Sequence, residues 1–472
     1  MSNLDLSLVS IYLALTLVSG LWFGRNVKNI KEYAIGGRNF STTVLVMTIC
    51  ATDIGGSTIM TSASEAFRVG LIDMYTSIGL ILSNLVIAYF IAPRFKRFLG
   101  AISVGDIMHE FYGNAGRYVA AIAGTLVCLG FVAGQVKALS TFFNYFLDLN
   151  VNTATYISCL IIVAYSSFGG IRAVTFTDVI QFLTLAVAIP MIFNIGLEVV
   201  HGYGELFKKI PSKHILPTEP TSIIKYFILF VFFTFPGMNP STMQRILMAK
   251  DVEQIKNSFK ISAFVLLPFL FTTSMIGLIV LSLQPDIAPS NVLMFLIDTY
   301  LPAGLKGVAF IGMIAVVMST ADSYMNAAGV SFIHDLIKPM FKESITEKQE
   351  LSLARYFTLV SGFFSIVIAL SFDNLLKLIL FAQGFYVPII SVPLLLGLFG
   401  FRSSQRAFVI GASAGALTFI LWHIYRLECI IGFDSLVPGL LMNVAALLTT
   451  HYILKEPGGW IKGELSIKIK RA

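Results

Sequence analysis

Long apolar runs separated by short polar segments are the dominant pattern of the chain. Thirteen of these runs are long enough for a membrane-spanning helix, which needs about 20 mostly apolar residues. Backbone polar groups in lipid must be paired within the segment, so each run is predicted to be helical. The predicted spans cover residues 6–24, 42–66, 72–93, 118–141, 151–168, 176–198, 221–241, 259–283, 305–327, 353–371, 375–400, 407–425 and 435–454.

The composition agrees with a membrane protein, because only 12% of the residues are charged against about 25% in soluble domains. No polar segment is long enough for a separate soluble domain, so residues 1–472 are predicted to form one transmembrane domain. The N-terminal run lacks the basic start and cleavage site of a signal peptide and is predicted to remain as a span. The four cysteines have no paired spacing, which excludes a disulfide framework and argues against a zinc site.

The basic residues are distributed unequally between the two predicted sides of the membrane. Twenty-four of the 33 Lys and Arg residues, including Arg245, fall on one side and six on the other. Cytoplasmic loops carry the excess of basic residues, so the N-terminus is predicted outside and the C-terminus in the cytoplasm of a bacterial inner membrane. The net charge of +7 is thereby explained by topology. Nucleic-acid binding is not predicted, and nothing indicates an obligatory protein partner.

Two of the predicted spans are interrupted by polar, glycine or proline residues. The second span contains Asp-Ile-Gly-Gly-Ser at 53–57, and the seventh contains Phe-Pro-Gly-Met-Asn-Pro-Ser at 235–241. The two breaks lie five spans apart, a spacing that is typical of transporters built from inverted repeats. The repeats are predicted at approximately 42–198 and 221–400. Two ordinary kinked helices are the alternative interpretation.

The polar residues inside the spans are the candidates for chemistry. An unwound helix at the first break frees carbonyls for a hard cation, and the half-helix that follows presents its N-terminus to a carboxylate. Asp53 is ionisable in mid-membrane, which predicts a functional role, although it could instead cap the half-helix. Hydroxyl residues at 319, 320 and 323 share one helical face, or simply bond to the preceding turn. Asp178 is either an ion ligand or part of a capping pattern with Thr175.

Four stretches of the chain, spread over about 32–404, resemble the sodium:solute symporter family, which includes sodium-coupled carriers of proline, pantothenate, sialic acid, choline and sugars. The resemblance implies an all-α membrane protein. Its LeuT-type inverted-repeat core would hold 5+5 helices, with one N-terminal and two C-terminal extra spans. The stretches are Gly36-Gly37-Arg38 with Glu65-Ala66-Phe67 and Gly70; Gly169 to Val174 with Thr177 to Gln181; Gln244-Arg245 with Ala249-Lys250-Asp251; and Met318 to Ser323.

The resemblance also implies ion sites, with sodium as the coupling ion. The family's principal sodium site corresponds to the carbonyls of Ala51, Ile54 and Val316 and the hydroxyls of Ser319 and Thr320. A second sodium site, which some members have, corresponds to Asp178, Ser319, Asp322 and Ser323. Asp322 is an acid where some members have a hydroxyl, so proton coupling is an alternative.

The expected function is sodium-coupled import of a small organic solute by alternating access. An amino acid or other small carboxylate or zwitterion such as proline is predicted. A choline, vitamin or sugar carrier, a channel and a sensor are the alternatives, and no motif indicates an enzyme. An extension to the membrane interface is the alternative role of Lys137, and a hydrogen bond between helices is that of Gln383. The candidate solute-binding residues are Asp53, Gly55, Gly56, Ser57, Gln135, Lys137, Met238, Asn239 and Gln383.

Overall fold

The structure is a computed structural model that describes residues 2–24, 27–166, 170–215, 220–341 and 344–461. Gly169, which belongs to one of the family stretches, lies outside these ranges. The described residues are almost entirely helical. The helices are α1 Asn3–Gly24, α2 Ile30–Ile35, α3 Thr42–Asp53, α4 Gly56–Val69, α5 Ile72–Arg97, α6 Val104–Leu147, α7 Val151–Ser166, α8 Gly170–Val199, α9 Tyr203–Lys209, α10 Ser212–Ile215, α11 Pro220–Thr234, α12 Pro240–Met248, α13 Val252–Leu283, α14 Val292–Tyr300, α15 Leu305–Met340, α16 Glu347–Leu370, α17 Leu375–Leu398, α18 Gln405–Ile424, α19 Leu427–Ile431 and α20 Leu436–Ile453.

Short irregular elements complete the described part of the chain. The segments Gly36–Arg38 and Pro289–Asn291 form 3₁₀ turns, and Phe401–Arg402 pairs antiparallel with Gly459–Trp460. Helix α15 becomes π-helical at Val330–Ile337. This π-helical stretch changes the direction in which the side chains of α15 point.

The number of spans agrees with the sequence pattern in part. Among the described residues, ten helices are long and apolar enough to cross a membrane, and the bent pair α3–α4 provides one more. Two shorter apolar helices lie at Val151–Ala164 and Ser222–Thr234. Each predicted run overlaps one of these helices, which confirms an all-helical membrane protein. The count of thirteen spans stays a prediction.

The first predicted break is present and bends the chain by 53° between α3 and α4. Helix α3 ends at Asp53, where Ile54 leaves the helical region at φ −89° and ψ 70° and Gly55 is extended. Gly56 is required because a Cβ atom here would lie 2.3 Å from Cγ2 of Val317. The missing side chain therefore lets the broken helix pack directly on α15.

The second break separates α11 from α12. Met238 adopts a left-handed φ of 51° between the two helices. The side chain of Asn239 then caps α12 by accepting the N–H of Thr242 at 3.0 Å. At the first break a glycine allows close contact with α15. At the second break an Asn side chain caps the helix that follows.

Burial separates a central group of helices from peripheral ones. The most apolar window of α15 is 89% buried and that of α6 is 78% buried, whereas the windows of α1, α18 and α20 are 28%, 33% and 33% buried. Helix α15 lies against α6, α8 and α1, and it contacts the first break. The two breaks, α6 and α15 therefore frame the centre of the molecule, and the N-terminal and C-terminal helices cover it.

Candidate functional site

Four of the five predicted principal sodium ligands come together where α3 ends against α15. The hydroxyl of Ser319 donates to the carbonyl of Ala51 at 2.9 Å and to that of Val316 at 3.0 Å. The hydroxyl of Thr320 lies 3.4 Å from the Ala51 carbonyl. The fifth residue, Ile54, directly follows the end of α3 and has a non-helical ψ of 70°, so its carbonyl leaves the regular helical direction. We call these five residues the neutral cage, since every predicted ligand atom is an uncharged oxygen of the type that a hard cation prefers.

The predicted second sodium site has a different content. The guanidinium of Arg245 lies 3.4 Å from the carboxylate of Asp178 and donates to the hydroxyl of Thr52 at 2.8 Å. It also donates to the hydroxyl of Ser323, and Thr48 donates to Asp178. Asp178 is fully buried and Arg245 is 2% exposed. We call these five residues the charged cage, because a cation of the chain itself lies among the oxygen atoms.

The other two predicted members of the second site, Ser319 and Asp322, make different contacts. The hydroxyl of Ser319 bonds within the neutral cage, and Asp322 is a buried acid near enough to Tyr12 of α1 to interact with it electrostatically. The alternative interpretation of Asp178 as part of a helix cap with Thr175 is wrong. Helix α8 already includes Gly170, so both residues lie inside the helix.

A cavity of about 160 Å³, lined by both polar and aromatic side chains, adjoins the neutral cage. Thr320 lines this cavity and also belongs to the neutral cage, so a solute and a sodium ion would share one side chain. We call this space the solute cavity. The predicted solute-binding residues that line it are Asp53, Gln135, Met238, Asn239 and Gln383.

The three predicted solute residues at the first break, Gly55, Gly56 and Ser57, pack against neighbouring helices. Gln135 accepts the backbone N–H of Ser57 at 3.3 Å and donates to its hydroxyl at 2.7 Å. A Cβ atom on Gly55 would lie 3.0 Å from Thr320 Oγ1, and Gly56 contacts α15 as described. The start of α4 is therefore capped by Gln135. A solute carboxylate is predicted at this helix start from the sequence, whereas an amide of α6 lies there in the structure.

The remaining predicted residue, Lys137, lies outside the solute cavity. It lines a separate cavity of about 400 Å³ together with Arg68 and Lys377. A smaller cavity of about 100 Å³ lies between this outer space and the solute cavity. The smaller cavity shares Thr58 with the solute cavity and Glu65 with the outer one. The three cavities thus lie in a row, which we call the path, with Lys137 at its outer end.

Two buried acids, Glu65 and Asp73, line the path. Glu65 accepts from Arg68 at 2.7 Å and from the hydroxyl of Tyr226 at 3.0 Å. Asp73 is buried further in and accepts from the hydroxyl of Ser62 at 3.2 Å. A row of three carboxylates, Glu65, Asp73 and Asp53, therefore extends from the Lys137 end to the cavity beside the neutral cage.

At the opposite end of the molecule, an arginine side chain binds two backbone carbonyls of another segment. Arg38 donates to the carbonyl of Ala249 at 2.8 Å and to that of Lys250 at 2.7 Å. These bonds tie the segment before α3 to the loop after α12. The three cavities therefore lie towards the Lys137 end, whereas hydrogen bonds tie the Arg38 end.

The family is decided by comparison with known proteins. A model of the sodium:solute symporter family matches residues 33–417. The chain belongs to the sodium:solute symporter family. The resemblance in the sequence analysis is thereby confirmed, and the protein is an integral membrane symporter of a sodium-coupled family.

Relatives and solved structures agree with this membership. The high-affinity proline transporter PutP of Bacillus subtilis is 23% identical and is matched over 93% of this chain and 96% of its own. A sodium/proline symporter of Staphylococcus aureus strain Newman is 22% identical over 97% and 94% of the two chains. The fold is that of a sodium-coupled sialic acid symporter in a substrate-bound, outward-open state, with a TM-score of 0.81 at 21% identity, covering 98% of this chain and 100% of that one. The nucleobase-cation symporter Mhp1 is more distant, with a TM-score of 0.53 at 14% identity over 90% and 95%.

Several residues of this symporter's solute cavity were missed by the sequence analysis. Asn84 donates to the carboxylate of Asp53 at 3.0 Å. Phe131 and Tyr324 stack with parallel rings at 4.3 Å between centroids, and Asn239 donates to the Tyr324 hydroxyl at 3.3 Å. Asn84 is a polar residue in an apolar run and gave a detectable signal. The two rings gave none, because aromatic residues are common in such runs.

Proposed function

We propose that this symporter couples sodium to the uptake of a small zwitterionic amino acid of the proline type, entering from the Lys137 end. The N-terminus is proposed to lie outside and the C-terminus in the cytoplasm, in line with the charge bias. The observation that carries the proposal is the position of Thr320, which lines the solute cavity and belongs to the neutral cage. A sodium ion and a solute that share this residue stabilise each other's binding.

The proposed sodium ion binds in the neutral cage, to the carbonyls of Ala51, Ile54 and Val316 and the hydroxyls of Ser319 and Thr320. Binding replaces the hydroxyl-to-carbonyl hydrogen bonds with metal–oxygen contacts. It holds the break between α3 and α4 against α15. The ion thereby fixes the wall of the solute cavity that carries Asp53.

The charge of the solute cavity supports a zwitterion. Asp53 provides a carboxylate for an ammonium or imino group, with Asn84 bound to its other side. The amide of Asn239 and the hydroxyl of Tyr324 are donors for a carboxylate, and sodium beside Thr320 adds positive charge. Among the described residues, no Lys, Arg or His lines the cavity, which disfavours a purely anionic solute.

An organic cation such as choline is the second candidate, because five aromatic rings line the solute cavity. A cation gains from the face of an aromatic ring within about 6 Å, and Asp53 would neutralise its charge. The carboxylate donors would then have no partner on the solute. The rings are Phe131, Phe232, Phe233, Phe235 and Tyr324.

The charged cage supports a ratio of one sodium ion for each solute. Arg245 already supplies a positive charge to Asp178, and a second cation within the same few ångströms would be strongly repelled. The same cage connects α12 with α3, α8 and α15. Opening of the Arg38 end therefore requires these bonds to rearrange, which fits alternating access.

Uptake into proteoliposomes tests the proposal. An inward sodium gradient should drive accumulation of radioactive L-proline, and external proline should accelerate exchange of preloaded proline, which a channel does not do. Asp53→Asn should abolish accumulation, whereas Asp286→Asn, in an exposed loop, should not change it. Accumulation of choline without any response to proline would favour the second candidate. Uptake that follows only a proton gradient would contradict sodium coupling.

A further inference from the structure

A second cluster of ionisable residues lies where α6, α15 and α16 meet, away from the transport path. One ligand atom from each of Asp106, His334 and Asp335 lies within 4.8 Å of the others. None of the three side chains lines the solute cavity or the cavities that lead to it. Asp335 is 1% exposed, so part of this cluster is held away from water.

The imidazole of His334 has the orientation of a metal-binding histidine. Its Nδ1 atom lies 2.7 Å from the carboxylate of Glu350, while Nε2 lies 3.5 Å from Oδ1 of Asp106. Metal-binding histidines typically donate one ring N–H to a carboxylate and direct the other nitrogen to the metal. A separation of 3.5 Å is long for a hydrogen bond. It is near the roughly 3.3 Å between two ligands at zinc distances of 2.0–2.1 Å in a tetrahedral site.

The third ligand, Asp335, is held in place by the start of α6. The hydroxyl of Ser103 donates to Oδ1 of Asp335 at 2.5 Å. Gly105 admits the carboxylate, since a Cβ atom there would lie 2.3 Å from Cγ of Asp335. The π-helical winding of Val330–Ile337 turns less per residue than an α-helix. His334 and Asp335 can therefore both face α6 although they are neighbours in the chain.

The charges of the cluster leave a place for one more cation. Arg117 lies 3.1 Å from Oδ1 of Asp106, and Lys338 lies 2.8 Å from Glu350. Three carboxylates then face two bases when His334 is neutral, so the net charge is negative. In the tautomer that donates to Glu350, the Nε2 lone pair of a neutral ring also points at a carboxylate. That contact is repulsive unless a cation lies between them or the ring itself is protonated.

We propose that Asp106, His334 and Asp335 bind a divalent transition metal, for which zinc is the probe, and that the metal fastens α6, α15 and α16 together. One imidazole nitrogen and two carboxylates form a donor set that zinc accepts. Spacing along the sequence gave no zinc signature because the ligands come from two helices more than 200 residues apart. The metal restrains these helices relative to one another without entering the path.

Metal analysis of the purified, full-length protein tests the proposal without any transport assay. After equilibration with zinc chloride and removal of free metal, the wild-type chain should retain about one zinc ion. Binding should weaken at least tenfold in His334→Gln and Asp106→Asn, and Glu350→Gln should lower it by a similar factor through the ring orientation. His109→Gln is the matched control. His109 lies exposed on α6, the helix that carries Asp106, so this variant should leave binding unchanged.

Cobalt provides a measurement that does not depend on the folding of a variant. One equivalent of Co²⁺ should give the visible absorption of a tetrahedral site in the wild-type chain, and zinc should remove it. Zinc should also raise the melting temperature of the wild type and not that of His334→Gln. The proposal is overturned if the wild type retains no stoichiometric metal, or if His334→Gln binds it as well. In that case the cluster is an ion-pair network bridged by a protonated His334.

Discussion

The neutral cage and the charged cage lie one helical turn apart on α15, yet they obtain their positive charge from different sources. Ser319 of the first faces carbonyls at the end of α3, whereas Ser323 of the second faces the guanidinium of Arg245. The decisive difference is Asp178, a fully buried carboxylate. A buried carboxylate requires a cation within the fold itself, while a set of neutral oxygens can exchange an ion with the solution. One hydroxyl-rich face of α15 therefore holds an internal cation at Ser323 and, as we propose, a transported one at Ser319.

Removal of the internal cation is expected to have the largest effect. Arg245→Met leaves Asp178 buried without its partner, and breaking a buried pair of this kind costs about 3–5 kcal/mol. Thermal unfolding of the detergent-purified protein should show a large loss of stability, and the double variant Arg245→Met, Asp178→Asn should recover much of it. Arg406→Met, at an exposed arginine, is the control. Equal stability of the Arg245 and Arg406 variants would contradict the charged cage.

A change in the backbone approach should affect the neutral cage next. Gly56→Ala places a methyl group 2.3 Å from a Val317 carbon, and overpacking of this kind costs about 1–3 kcal/mol. We expect the break to move away from α15, so that sodium binds less tightly even where the protein folds. Gly204→Ala, at a position with open space, should change neither property. Normal sodium dependence of Gly56→Ala would show that the close approach is not needed.

Single hydroxyl deletions should have the smallest effect and separate the two cages. Ser319→Ala and Thr320→Ala each remove a proposed sodium ligand. At about 0.5–1.5 kcal/mol per hydrogen-bonding group, each should raise the sodium concentration for half-maximal uptake by roughly 2- to 12-fold. Ser323→Ala removes a partner of Arg245 and Thr52 and should lower thermal stability without this shift. The distinction fails if all three variants shift the sodium dependence equally.

The neutral cage was predictable from the sequence because both of its parts have local signals. The Gly-Gly break near Ile54 and the hydroxyl run at Ser319 can each be recognised within a few residues, and family resemblance joins them. The helical membrane architecture was predictable for the same reason. Apolar runs report spans directly, whatever the packing between them.

The charged cage was not predictable because Arg245 follows the predicted end of the seventh span at residue 241. Arg245 therefore counts as a loop charge in the sequence, whereas it is buried in α12, five residues beyond Pro240. Asp178 and Ser323 were placed at a sodium site without their actual partner. Whether a polar group faces an ion, a solute or a neighbouring helix depends on the packing angle. Periodicity along one helix does not determine that angle, and for the same reason Lys137 was assigned to the solute cavity.

The central claim is that the symporter moves one sodium ion per solute, because Arg245 replaces a second. Simultaneous measurement of radioactive sodium and radioactive proline entering the same proteoliposomes tests this most directly. The account predicts initial rates in a ratio of about one, with a sodium dependence that is not sigmoidal. A ratio of two sodium ions per proline in the wild-type protein would contradict it, because a second ion would then have to bind beside or displace the guanidinium.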